Sequence, residues 1–105
     1  MSETPRLSYT GALVLQTVSA GRRYGFDIME ATGLASGTVY PALRRLEQLE
    51  LVRSKWERDQ VASAEQRPPR KYYEVTRRGK DTLAKALQRY ALLDQLSKPE
   101  TARSR

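Results

Sequence analysis

The sequence contains no cysteine and no histidine among its 105 residues. Without cysteine the chain has no disulfide framework and no thiolate metal site, and without histidine it lacks the commonest metal ligand and general base. We therefore expect no catalytic residue, no metal site and no cofactor. The acidic pair Asp27 and Glu30 is interpreted as a solvated helix face rather than as a catalytic dyad.

Long apolar runs are also missing. No stretch approaches the roughly 20 apolar residues that cross a bilayer, and the N-terminal segment MSETPRLSYT lacks the apolar core of a signal peptide. We expect no membrane partner and a cytoplasmic location. Because 39% of the 105 residues are hydrophobic, the chain can bury one small core, and we expect one globular unit.

Acidic residues are outnumbered by basic ones. Nineteen Lys and Arg against twelve Asp and Glu give a formal net charge of +7. This sign is expected when the partner is a polyanion. Residues 53–80 alone hold nine basic and four acidic side chains, so most of the excess charge lies in that part of the chain.

Two short helices are predicted in the first third of the chain. The segment Tyr9–Ala20 is apolar nearly all the way round, which is typical of a helix that its neighbours cover on most sides. A second helix is predicted to begin at Gly25 and to end before Gly33, a glycine suited to the left-handed residue after a helix. The polar ends, 1–8 and 97–105, are predicted to be disordered tails.

A third helix is predicted from apolar side chains that recur at helical spacing and form an inward stripe, namely Val39, Leu43 and Leu46. Proline costs nothing among the first four residues of a helix, whose N–H groups have no partner inside it. Because of Pro41, we expect this helix to start near Thr38, with Ser36 or Thr38 as its N-cap.

The outward face of the third helix carries side chains that suit DNA. An arginine fork matches the O6 and N7 acceptors of guanine, a glutamine can pair with adenine, and either can instead bind phosphate. A solvated face with no partner is the alternative interpretation. For Tyr40, donation to a phosphate and bracing of the turn both remain open. The candidate DNA-binding residues here are Ser36, Thr38, Tyr40, Pro41, Arg44, Arg45 and Gln48.

Beyond the third helix the pattern changes to that of strands. Segments 51–57 and 70–76 are rich in β-branched and aromatic residues, and a polar loop, 58–69, separates them. They predict a hairpin in which Tyr73 faces the core and Trp56 packs, with stacking on a ligand as the alternative for Trp56. The order helix, helix, basic-faced helix, basic hairpin predicts a mainly α winged helix-turn-helix over residues 9–76.

Three motifs resemble the PadR-type family of transcriptional regulators. They are YGFDIME at 24–30, SGTVYPALRRLE at 36–47 and RKYYEVTRRGKDTL at 70–83. The resemblance implies a homodimeric winged-helix regulator, commonly a repressor, whose third helix and wing bind an operator in double-stranded DNA. The wing residues that it adds are Arg67, Arg70 and Lys71. A small-molecule effector occurs in parts of the family, but no residue here specifies one.

Glu50 departs from the family pattern, which has a glycine just past the third helix. Glutamate is a poorer left-handed cap. The sequence therefore leaves open whether the helix ends by another geometry or the turn is strained.

A last helix is predicted over 77–96 as a dimerisation element. Apolar side chains occur on two of its sides, and the second side would be a liability unless a partner subunit covers it in a two-fold dimer. A frayed end with exposed leucines is the alternative. The candidate dimer-interface residues are Tyr90, Leu92, Leu93 and Leu96. In a two-fold dimer, half-sites of a palindromic operator lie about 34 Å apart.

Two other functions are consistent with the same residues. The winged helix could bind nucleic acid without sequence preference, or its basic surface could dock an acidic protein partner. Competition by unrelated duplex DNA separates the first from sequence-specific binding. Substitution of Arg44 and Arg45 separates the second, because it would then leave DNA binding unchanged.

Overall fold

The computed structural model describes residues 5–97, which form five helices and one antiparallel pair of strands. The first three helices are followed by a hairpin with a short helix at its tip, and by a long last helix. Their bounds are α1 Tyr9–Ser19, α2 Gly25–Thr32, α3 Ser36–Gln48, β1 Val52–Trp56, α4 Asp59–Ala64, β2 Lys71–Val75 and α5 Arg77–Ser97.

Helix α1 is the centre of the fold, as its apolar sequence predicts. Val14 and Leu15 have no exposed surface, and α1 packs against α2, α3, α5 and β2. The N-terminal boundary was predicted wrongly. Leu7 is buried in the core, and the Ser8 hydroxyl caps α1 by accepting from the Gly11 N–H at 3.0 Å. The folded part therefore begins before residue 9, while residues 1–4 and 98–105 of the predicted tails lie outside the described residues.

Helices α2 and α3 are joined by a tight turn. Gly33 ends α2 in the left-handed conformation, with φ of 76°, and its N–H donates to the Met29 carbonyl at 2.8 Å. The predicted start of α3 was two residues late. The helix begins at Ser36, and its N-cap is Ala35, which makes no side-chain capping bond. A backbone turn rather than a hydroxyl starts the helix, since the N–H groups of Thr38 and Val39 both donate to the Ala35 carbonyl.

Pro41 therefore lies deeper in α3 than its sequence position predicted. It is the sixth residue of the helix, so its missing N–H leaves one α-helical bond unmade. The carbonyl that would have accepted this bond belongs to Gly37, which is exposed. Water can satisfy that carbonyl, which lowers the cost of the proline.

The hairpin is the wing of the fold. Its register runs from Val52 opposite Val75 to Trp56 opposite Lys71. Tyr73 is 7% exposed, so the prediction that it faces the core is confirmed. The segment between the strands was predicted as a polar loop. It contains α4, in which Ala62 is buried.

The turn between α3 and β1 is fixed by the start of α5. Glu50 adopts a left-handed conformation with φ of 63°. The helix therefore ends with the geometry that the family's glycine favours, and glutamate adopts it at the cost of strain. Its carbonyl accepts the Thr76 hydroxyl at 2.7 Å, and the Leu51 carbonyl accepts the Thr76 N–H at 3.0 Å. Helix α5 approaches the Leu51 carbonyl closely at Gly79. A Cβ at position 79 would overlap that carbonyl, so only glycine allows this approach.

Candidate nucleic-acid interface

The outward face of α3 is open along its length. Val39, Leu43 and Leu46 are fully or almost fully buried and fix which side of the helix meets the core. The opposite side is therefore available to a partner. All seven α3 residues predicted to contact DNA are exposed: Ser36, Thr38, Tyr40, Pro41, Arg44, Arg45 and Gln48.

Arg44 faces the wing, across a cleft of about 800 Å³. We call it the α3–wing cleft, and it lies between the start of α2, one side of α3 and the two strands. From the wing, Arg70 and Lys71 line the same cleft. Arg44 thus shares one concave surface with two cations that are distant from it in sequence. The residues that line the cleft are Tyr24, Gly25, Phe26, Tyr40, Arg44, Glu47, Trp56, Arg70, Lys71 and Tyr73.

Arg45 lies on the other flank of α3. It lines a smaller recess of about 220 Å³ together with Arg6 and the start of α1. Adjacent residues on a helix are about 100° apart, so the two neighbouring arginines flank the outward face on opposite sides. Arg44 therefore lies beside the wing, whereas Arg45 lies beside the N-terminal segment.

Glu57, directly after β1, connects the wing tip to the start of α2. Its carboxylate accepts two bonds from the Arg67 guanidinium, at 2.6 and 3.1 Å, and one from the Arg70 N–H at 3.0 Å. The Tyr24 hydroxyl donates to the same carboxylate at 2.9 Å. These donors, the Arg67 guanidinium first, lower the pKa of Glu57 to about 2, and the bond to Glu57 raises the pKa of the Tyr24 hydroxyl.

Arg67 therefore differs from its predicted role. Besides both oxygens of Glu57, its guanidinium contacts Glu65 at 2.9 Å, and only 18% of its side chain is exposed. The carboxylates raise its pKa above the ordinary arginine value. Its donors are directed at the wing itself, so the structure uses Arg67 as a clamp.

Arg70 and Lys71 remain at the surface of the cleft. The Arg70 guanidinium lies 5.5 Å from the centre of the Tyr24 ring, and the Lys71 ammonium lies 5.9 Å from the centre of the Tyr73 ring. Aromatic faces attract cations, so these contacts orient both side chains without neutralising them. Their charges stay available to an anionic partner.

The Tyr40 ring packs over Gly25. A Cβ at Gly25 would overlap the hydroxyl end of the Tyr40 ring. The absence of a side chain at Gly25 therefore lets the ring lie over the start of α2. This contact braces the turn, one of the two alternatives for Tyr40, while 42% of the residue stays exposed.

Phe26 and Trp56 also line the cleft; Phe26 was not predicted as a site residue, and for Trp56 stacking on a ligand was only the alternative. The packing predicted for Trp56 is wrong, because 65% of the residue is exposed; Phe26 is 62% exposed. For Phe26 a signal was present, since it lies two residues before the buried Ile28 and so points to the opposite side of α2. Trp56 is the last residue of β1, where the inward and outward alternation of the strand ends.

Most of the sequence matches the model of a known protein family. The family model for transcriptional regulators of the PadR-like family matches residues 14–85. This range contains α2, α3, the wing and most of α1. The chain belongs to the PadR-like family. PadR-like proteins are transcriptional regulators, so the winged helix here serves DNA-binding transcription regulation.

Solved PadR structures support the same fold. A PadR family transcription regulator from Clostridium difficile R20291 is 28% identical, with a TM-score of 0.73, over 85% of this chain and 94% of its own. A PadR family regulator from Eggerthella lenta is 28% identical, with a TM-score of 0.63, over 81% and 77%. A PadR-like transcription factor from Bacteroides fragilis is 25% identical, with a TM-score of 0.68, over 82% and 84%. No curated protein sequence matches the chain.

The four residues predicted for a PadR dimer interface fall into two groups. Tyr90 contacts its own subunit, since its hydroxyl donates to the Leu7 carbonyl at 2.8 Å and its ring meets the Tyr9 ring edge-on at 5.3 Å. The other three lie in the last turns of α5 and are more than half exposed, namely Leu92, Leu93 and Leu96.

Two negative findings apply to residues 5–97 of this PadR chain. No cluster of acidic residues among them has the arrangement of a metal site. No helix among them combines the length and the apolar character that a membrane span requires.

Proposed function

We propose that the protein is a homodimeric repressor that binds a palindromic operator in double-stranded DNA with sequence preference. The observation that carries this proposal is the shared position of Arg44, Arg70 and Lys71 in one exposed cleft beside the open face of α3. We propose that the protein acts in the cytoplasm, where the DNA is.

The outward face of α3 enters the major groove in this proposal. Arg44 and Gln48 lie one turn apart on that face, and their forks suit guanine and adenine edges respectively. Arg45, Thr38 and Ser36 lie on the flank toward α1 or at the start of the helix, where hydroxyls and guanidinium groups contact phosphates.

The wing supplies contacts that do not depend on sequence. Arg70 and Lys71 bind backbone phosphates beside the groove that α3 occupies. Arg67 holds the wing tip through Glu57, so its effect on DNA binding is indirect.

The end of α5 forms the dimer. Leu92 and Leu96 are one turn apart and exposed, so a second copy of the helix can cover them. A two-fold axis between the helices presents two α3 faces to one side of DNA, with half-sites about 34 Å apart. A bound dimer on a promoter excludes other proteins from it, and we therefore propose repression.

A gel-shift assay with the DNA upstream of the gene tests the proposal. We expect a complex that survives a large excess of random duplex and weakens steeply with salt. Arg44→Ala should abolish the preference for this DNA over random duplex. Equal competition by random duplex would replace the proposal with sequence-independent binding. An unchanged complex with Arg44→Ala would remove α3 from the interface.

A further inference from the structure

The α3–wing cleft collects exposed aromatic side chains. Four aromatic residues are largely exposed in the described part of the chain, and three of them line this cleft: Phe26, Tyr40 and Trp56. The other five aromatic rings each contact a second ring or a cation, whereas within residues 5–97 no such contact involves these three.

The charge of the cleft is positive. Arg44, Arg70 and Lys71 line it against a single acidic residue, Glu47. The Glu47 carboxylate is already engaged, because it accepts the Ser54 hydroxyl at 2.6 Å. A ligand that fits this lining carries negative charge together with a flat apolar face.

Paired DNA does not offer such a face. In a duplex the bases are stacked on one another, so only their edges and the sugar–phosphate backbone reach a protein. Backbone phosphates would use the three cations but leave the rings of Phe26 and Trp56 without a stacking partner. An unpaired nucleotide offers both a base face and a phosphate, and aromatic side chains in a cationic groove are the usual means of binding single strands.

We propose that the α3–wing cleft binds an unpaired nucleotide of single-stranded DNA, whose base stacks on Phe26 or Trp56 while its phosphates contact Arg44 and Arg70. The cleft volume of about 800 Å³ is within the size range of pockets that enclose small ligands. This activity goes beyond duplex recognition. It shares Arg44 and Arg70 with the proposed operator contacts, so a single strand and the operator compete for the protein.

Trp56 gives a direct optical test, since it is the only tryptophan in the chain. The full-length protein is titrated with a short homothymidine strand and with an abasic strand of the same length, which has the same phosphates but no bases. We expect the homothymidine strand to quench Trp56 fluorescence and to bind at least roughly tenfold more tightly than the abasic strand. Equal affinity for the two strands would overturn the proposal.

Alanine variants locate the stack. Loss of one base–aromatic stack weakens binding by roughly 5- to 150-fold, so Phe26→Ala and Trp56→Ala should lower affinity for labelled homothymidine within that range. Tyr9→Ala is the matched control, because Tyr9 is the exposed aromatic residue outside the cleft. Unchanged affinity in both cleft variants would overturn the proposal, as would equal affinity for free thymidine monophosphate and the strand.

Duplex binding is measured on the same samples. An intact operator complex with no stacking on single strands overturns this inference alone. Stacking on single strands without an operator complex overturns the proposed function alone.

Discussion

The guanidinium of Arg67 grips the carboxylate of Glu57, with Nη1 2.6 Å from Oε1 and Nη2 3.1 Å from Oε2. Only 7% of the Glu57 side chain is exposed. The same carboxylate accepts the hydroxyl of Tyr24 at the start of α2. One acidic residue therefore ties the wing tip to the helix-turn-helix and sets the position of Arg70 and Lys71 relative to α3.

Glu57→Gln should lower the free energy of unfolding in a pH-dependent way. The pKa of Glu57 falls from its ordinary value of 4.5 to about 2 in the folded protein, so the charged form stabilises the fold above pH 4.5. That contribution is lost as the pH falls toward 2. Urea unfolding of both proteins at several pH values should show a difference that is largest near neutral pH and disappears at the acidic end.

Glu65→Gln is the control for that series. Glu65 also contacts Arg67, but 60% of its side chain is exposed, so the pair is worth little. A Glu57→Gln protein with the stability of the Glu65→Gln protein at neutral pH would contradict the assigned clamp.

Gly25→Ala should destabilise the fold, although alanine is the better helix residue. The new Cβ would overlap the Tyr40 ring and force it away from α2. Overpacking of this kind costs about 1–3 kcal/mol. Adding Tyr40→Ala should remove the penalty, which chemical denaturation of the single and double variants would measure. If Gly25→Ala alone were more stable than the wild-type protein, the Tyr40 ring would have to move aside without an energetic cost.

Glu50→Gly should stabilise the protein. Glu50 is held at φ of 63°, where a side chain is strained and glycine is not. Glycine loses more backbone entropy on folding, which offsets part of this relief. We therefore expect the free energy of unfolding to rise by about 0.5–1 kcal/mol. Gln66, the second non-glycine residue of the described chain in this conformation, offers a parallel test. Loss of stability at Glu50 would mean that its side chain makes a contact that outweighs the strain.

Leu92→Glu and Leu96→Glu should each dissociate the proposed dimer. Both leucines are more than half exposed in one subunit, and burial of a leucine side chain contributes about 1.5–3 kcal/mol. We therefore expect the dimer dissociation constant to rise at least about tenfold in sedimentation velocity experiments. Gln48→Glu, at an exposed position on the proposed DNA face of α3, adds the same charge as a control. Unchanged association in both leucine variants would place the interface elsewhere.

Local patterns predicted the elements of this fold well, because each depends on near neighbours in sequence. The helical spacing of Val39, Leu43 and Leu46 fixed which side of α3 is outward, and strand alternation placed Tyr73 in the core. Family motifs then identified the arrangement as a PadR winged helix, which the family comparison confirms.

Contacts between elements could not be predicted in the same way. Arg67 looks like a free wing cation until the folded tip brings it to Glu57, ten residues away along the chain. Leu7 looks like part of a polar tail until α5 covers it, with Tyr90 and Arg89 both donating to its carbonyl. Helix geometry separates Arg44 from Arg45, but only the packed wing shows which of them lines the cleft.

The salt dependence of operator binding tests the central claim most directly, because each phosphate contact contributes to the slope of log K against log salt. We predict that the combined substitution of Arg45→Ala, on α3, and Arg70→Ala, on the wing, lowers the magnitude of that slope by about two, and that Arg78→Ala, at the start of α5, leaves it unchanged. An equal slope in the wild-type protein and the double variant would contradict the placement of DNA against α3 and the wing.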